Sequence, residues 1–142
     1  MSLLLLDTGP LVALLDRRDP YHEWSASRLG GLRGRLATTG AVVTECAFFL
    51  QDVKEGMTRL SEFLARPGIE IMNSFKSHQL QAAAALMEKY ADTPMDFADA
   101  TLVVLAAELQ TDRIVTLDER GFRRYRHSRT RAFQLVLQDG DG

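Results

Sequence analysis

The chain has 142 residues, of which 46% are hydrophobic and 25% charged, and a formal net charge of −2. That size suits one domain, residues 1–142, with a core that removes about two-thirds of the unfolded surface from water, and the composition excludes a disordered chain. No apolar run approaches the roughly 18 residues of a membrane span, and the one cysteine, Cys46, excludes an intrachain disulfide framework, so a cytoplasmic protein without membrane contact is expected.

"SLLLL" (Ser2–Leu6) is a continuous apolar run, as in a strand covered on both faces, and it lacks the basic flank and cleavage site of a signal peptide. "DTGP" breaks it, and a short helix is predicted from about Leu11 to Asp16. A turn at Asp19-Pro20 leads into a second helix, "GRLATT" gives a strand, and "GAVVTECAFFLQD" and "MTRLSEFLAR" give two helices. "PGIEIM" is a strand entered through a turn, and "SHQLQAAAALMEKYA" is a helix with Ser77 as its cap. "TPMDFADATLVVLA" is the next helix, with Thr93 as N-cap and Pro94 at the first position. "DRIVTLD" and "RAFQLVL" are the last strands, and residues 138–142 form a frayed tail. Strands alternating with helices indicate an α/β fold with a mainly parallel sheet.

Several acids are not explained by packing. Asp7 and Asp118 each end an apolar strand, the edge of a parallel sheet where ligands bind. Glu45 is the only charged residue from Ala37 through Gln51, and a buried carboxylate needs a partner. Asp99 shares the apolar side of its helix with Leu102, Val103 and Ala106, whereas Asp96 falls three residues after Thr93, at a capping position. Gathered carboxylates repel, and a hard divalent cation with oxygen ligands, Mg²⁺ or Mn²⁺, resolves that repulsion. His22, His78 and His127 stand in separate polar segments and read as surface residues, which argues against zinc. Cys46 reads as core packing. The cations are 14 Arg and 3 Lys, and six of the arginines fall in "RGFRRYRHSRTR", a segment suited to phosphate contact if it borders a metal site.

Four segments, "LLLDTGPLVALLDRRDPYHEWSA", "VVTECAFFL", "MDFADATLVVLAAEL" and "RIVTLDERGFRRYR", together resemble the PIN-domain family, and within it the VapC-type toxins of toxin–antitoxin pairs. The resemblance covers nearly the whole chain. It implies a three-layer α/β/α sandwich and a Mg²⁺- or Mn²⁺-dependent endoribonuclease that hydrolyses phosphodiester bonds of structured RNA such as tRNA or rRNA. It also implies a homodimer silenced by a cognate antitoxin. The family's four acids map to Asp7, Glu45, Asp99 and Asp118, and its hydroxyls to Thr8 and Thr116. Asp7 and Asp99 are then the main metal ligands, completed by Asp118 and Glu45, with Asp96 as a less secure fifth acid. Arg120, Arg123, Arg124 and Arg126 are candidates to hold the RNA backbone, and Tyr125 is expected to pack rather than to stack a base. Many relatives carry an acid where this chain has Gly121. The alternative is a non-catalytic PIN-like module that binds RNA or a partner. A haloacid-dehalogenase-type phosphatase needs an Asp where Gly9 stands, and a receiver domain needs a late Lys after a strand, whereas Lys54, Lys76 and Lys89 fall in helical segments.

Overall fold

The computed structural model describes residues 3–32 and 34–139. In chain order the elements are β1 (Leu3–Leu6), α1 (Thr8–Leu15), α2 (His22–Gly30), β2 (Arg35–Thr39), α3 (Gly40–Phe49), α4 (Gly56–Leu64), β3 (Ile69–Met72), α5 (Ser77–Lys89) and α6 (Phe97–Leu109). They continue with β4 (Arg113–Val115), α7 (Glu119–Phe122), β5 (Arg126–His127), β6 (Arg131–Ala132), β7 (Gln134–Leu135) and α8 (Val136–Asp139). Five strands form one parallel sheet in the order β3-β2-β1-β4-β7, flanked by helices as expected of the α/β/α class. Among the described residues no helix is long and apolar enough to cross a membrane.

The strand order positions the site. After β1 the chain crosses outward to β2 and β3, then returns through α5 and α6 to place β4 on the other side of β1. The connections leaving β1 and β4 therefore diverge, and a crevice opens at their carboxyl ends. Leu4, Leu5 and Leu6 of β1 are at most 1% exposed, which explains a strand without polar alternation. Helix α6 is buried from Ala98 through Ala106, and it packs on β2, α3 and α5. An apolar helix with no solvent face belongs in that central position.

The structure corrects several boundaries. Helix α1 starts at Thr8, so Gly9 and Pro10 lie inside its first turn, where proline's missing N–H costs nothing. Ser77 is not the cap of α5; Lys76 is, and Gln79 Oε1 accepts its backbone N–H at 2.7 Å. Thr93 and Pro94 do not start α6. Asp96 is the N-cap, and Thr93 is buried in the preceding turn. "RAFQLVL" splits three ways, because Arg131–Ala132 pairs antiparallel with β5, Gln134–Leu135 joins β4 and Val136 begins a helical turn. Gln138 in that turn donates to Thr116 O at 3.0 Å, and the rest of the expected tail, residues 140–142, lies outside the described residues.

The β5–β6 hairpin turns through Ser128 and Arg129, both left-handed (φ 47 and 76) and neither glycine. His127, only 3% exposed, is not a surface residue. Its Nε2 meets Asp112 Oδ1 at 2.6 Å, and Arg131 holds Oδ2 of the same carboxylate. His22 is also half-buried, with Nδ1 2.7 Å from Ala13 O, whereas His78 is exposed as expected. Asp112→Ala leaves the buried Nε2 of His127 without its partner and is expected to lower unfolding free energy by about 1–3 kcal/mol in urea denaturation. The exposed Arg131 contributes little of that loss.

Candidate active site

Asp7 follows β1 directly and caps α1. Its Oδ1 accepts the Thr8 N–H at 2.8 Å, and its Oδ2 accepts the Thr116 hydroxyl at 2.7 Å. Thr116 Oγ1 in turn accepts the Asp118 N–H at 2.9 Å, so one hydroxyl after β4 links two acids from adjacent strands. Asp118 caps α7, with Oδ1 accepting the Gly121 N–H at 3.0 Å. Asp96 and Asp99 form a reciprocal capping box at the head of α6. Asp96 Oδ1 accepts the Asp99 N–H at 2.8 Å, and Asp99 Oδ2 accepts the Asp96 N–H at 3.1 Å. Asp99 therefore has the local role that the sequence withheld from it. A cap does not require burial, however, and Asp99 is 8% exposed.

The electrostatics set these carboxylates apart. Burial pushes Asp7 up to about 6, with Asp118 and Asp96 adding to the shift against the hydrogen bonds from Thr116 and Thr8. Burial pushes Asp99 up to about 8, and the charges of Asp7 and Asp96 reinforce it. Glu45 is also raised, first by burial and then by its approach to Asp96, while the nearby Thr8 hydroxyl opposes the shift. Glu45 is half-buried rather than enclosed, because Phe48 and Phe49 beside it on α3 are 66% and 55% exposed. The Thr8 hydroxyl is buried and has no partner at hydrogen-bond geometry among the described residues.

Asp7, Glu45, Asp96, Asp99 and Asp118 all line one cleft of ≈ 640 Å³, together with Thr8. Asp19, Tyr21 and Phe49 line it too, and the sequence reading missed all three. Asp19 resembles an ordinary turn acid, since its Oδ1 accepts the Tyr21 N–H at 2.8 Å, and only the packing of α2 beside α1 brings it to the cleft. Among the described residues no Lys or Arg lines the cleft. Its donors are carboxylate and hydroxyl oxygens, the set that Mg²⁺ and Mn²⁺ take. Among the described residues no three Asp, Glu, His or Cys side chains are arranged as one coordination shell. The donor chemistry of the cleft fits a hard cation.

Gly121 has no room for a side chain. A Cβ there would collide with Asp118 Oδ2 and stand 2.9 Å from Tyr125 Oη. Tyr125 is fully buried, so it packs, as expected. In the basic segment Arg123 pairs with Glu119 and Arg124 with Asp92, both exposed, and Arg120 is exposed. Arg126 is half-buried and donates to the carbonyls of Arg123, Arg124 and Tyr125, closing the end of α7. Cys46 is 0% exposed in the core, and burial pushes its thiol up to about 12.

A parallel α/β sheet with an oxygen-donor cleft at its topological switch point defines a class of ligand-binding and catalytic domains. The PIN-domain profile matches residues 4–128, and the chain belongs to the PIN-domain family, in its VapC-type branch. It is 30% identical over 122 residues to Ribonuclease VapC26 of Mycobacterium tuberculosis, covering 84% of this chain and 89% of that protein. The crystal structure of M. tuberculosis VapC20, described as a sarcin-ricin loop cleaving toxin, superposes with a TM-score of 0.71 over 80% of this chain and 87% of that one. At 13% identity that likeness concerns the fold.

Proposed function

We propose that the chain is a metal-dependent endoribonuclease, the toxin of a VapBC-type pair, acting as a single domain in the cytoplasm. The observation that carries the metal dependence is the convergence of Asp7, Glu45, Asp99 and Asp118 on one cleft that no described Lys or Arg lines. Asp7, Asp99, Asp118 and Glu45 would hold Mg²⁺ or Mn²⁺, with Asp96 keeping the capping box in register and near enough to assist. A bound divalent ion lowers the pKa of its water and polarises the scissile phosphate. Thr116 fixes the rotamer of Asp7 and the backbone of Asp118, and Thr8, whose hydroxyl stands beside Glu45, is placed to orient water or substrate.

The exposed Arg120, Arg123 and Arg124 are suited to hold RNA backbone, with Arg126 bracing the turn that presents them. The substrates inferred from the relatives are structured RNAs, tRNA or rRNA. The partners are a cognate antitoxin and a second copy of the chain. Purified protein is expected to cut RNA internally with Mg²⁺ or Mn²⁺, to stop with EDTA and to recover when metal is restored. A non-catalytic binding module would leave RNA intact throughout.

A further inference from the structure

Tyr125 carries a hydroxyl that the fold does not need. The side chain is 0% exposed, wedged edge-on between Tyr90 (ring centroids 5.1 Å apart) and Phe122 (5.0 Å). Its Oη has no hydrogen-bond partner among the described residues. Phenylalanine would make the same packing without burying an unpaired donor, so the hydroxyl costs stability as the site stands.

The hydroxyl stands close to Asp118, which lines the acidic cleft. Burial, and after it the charges of Asp99, Asp118, Asp96 and Asp7, disfavour its ionisation, so it remains a proton donor near four carboxylates. Tyr125 and Asp118 meet at Gly121. A Cβ on that residue would meet both Asp118 Oδ2 and Tyr125 Oη, so the two oxygens border one space that only glycine leaves open. Asp118 uses Oδ1 to accept the Gly121 N–H, so Oδ2 is the oxygen on the Tyr125 side of that cap.

We infer that Tyr125 is a positioning residue for Asp118, donating Oη–H to Asp118 Oδ2 across the space above Gly121 when that carboxylate turns from capping α7 towards the cleft. The inference rests on the metal-dependent reading of the cleft. In the capped arrangement the hydroxyl waits unpaired. In the turned arrangement it replaces the cap bond that Asp118 gives up, and it fixes which oxygen faces the cleft. Gly121 is part of the device, because any side chain there separates the two oxygens.

The test is Mn²⁺ binding to the purified full chain by calorimetry, with thermal unfolding of the metal-free protein beside it. Tyr125→Phe is expected to weaken Mn²⁺ about tenfold, the usual effect of losing a bond that orients a metal ligand, and to leave the metal-free melting temperature unchanged or higher. Gly121→Ala is expected to weaken Mn²⁺ similarly. In the Asp118→Asn background, Tyr125→Phe is expected to add little further loss. Equal Mn²⁺ affinity for wild type and Tyr125→Phe overturns the inference while leaving the proposed function standing. So does a tenfold loss that persists in full in the Asp118→Asn background. No Mn²⁺ binding by wild type overturns the proposed function itself.

Discussion

The Asp99→Asn variant is expected to lose RNA cleavage entirely and yet to be more stable than wild type when metal-free near about pH 8.5. The capping box survives the change, because the introduced amide oxygen still accepts the Asp96 N–H and the backbone N–H at position 99 still donates to Asp96. What the variant removes is a carboxylate held at 8% exposure against Asp7 and Asp96. At that pH the folded protein has been forced to ionise a group that it keeps protonated up to about 8, whereas the unfolded chain releases that proton near the ordinary value of 3.8. The gain on removing the charge is of the order of 2–4 kcal/mol, read as a rise in unfolding free energy. The gain is expected to shrink as pH falls and to vanish only below the ordinary value of 3.8, where Asp99 is protonated in the folded and the unfolded chain alike. A destabilised Asp99→Asn protein at the higher pH would show that the carboxylate serves the fold rather than the site.

The second large effect is the pH dependence of the wild type. Asp7 and Asp99 both have folded pKa values raised above their unfolded ones. Between those limits the native state binds more protons than the unfolded state. Their contribution to stability is therefore full below the unfolded value and is lost as pH rises through about 6 for Asp7 and about 8 for Asp99. Asp112 runs the other way. The hydrogen bonds from Arg131 and His127 hold it below its ordinary value, so its contribution is lost only as pH falls through that lowered pKa. The melting temperature of the metal-free protein is expected to fall from about pH 5 to about pH 8.5, and saturating Mg²⁺ is expected to reverse the fall. The metal-induced rise should be small at the acidic end, where protons compete for the same oxygens, and largest at the alkaline end. A metal-free stability that climbs steadily to the alkaline end would contradict the assignment of buried, repelling carboxylates.

The layout of the sheet was largely legible in the sequence, for a physical reason. Parallel strands buried on both faces read as apolar runs, so "SLLLL" and "RIVTL" stand out, and acids directly after them fall at the edge where crevices form. Glu45 and Asp99 were visible because each is a charge in an apolar helix. The head of α6 was harder. Thr93-Pro94 and Asp96-Phe97 are both plausible helix starts, and the choice depends on packing, because a Thr93 side chain 2% exposed in the preceding turn is not free to cap. Asp19 and Tyr21 reach the cleft through the docking of α2 on α1, and no local pattern encodes that contact. His127 read as polar surface because its partner Asp112 lies 15 residues away. The split of "RAFQLVL" follows from two different neighbours, β5 and β4, each claiming two residues of one apolar run.

The measurement that tests the four-acid cleft most directly is calorimetric titration of Mn²⁺ into the purified chain near neutral pH, repeated in buffers of different ionisation enthalpy to count protons. Binding with net proton release is expected, because the cation must displace protons held by Asp99 and in part by Asp7. The release should be lost in Asp99→Asn. Absence of Mn²⁺ binding, or binding with no proton release that Asp99→Asn leaves intact, would contradict the account.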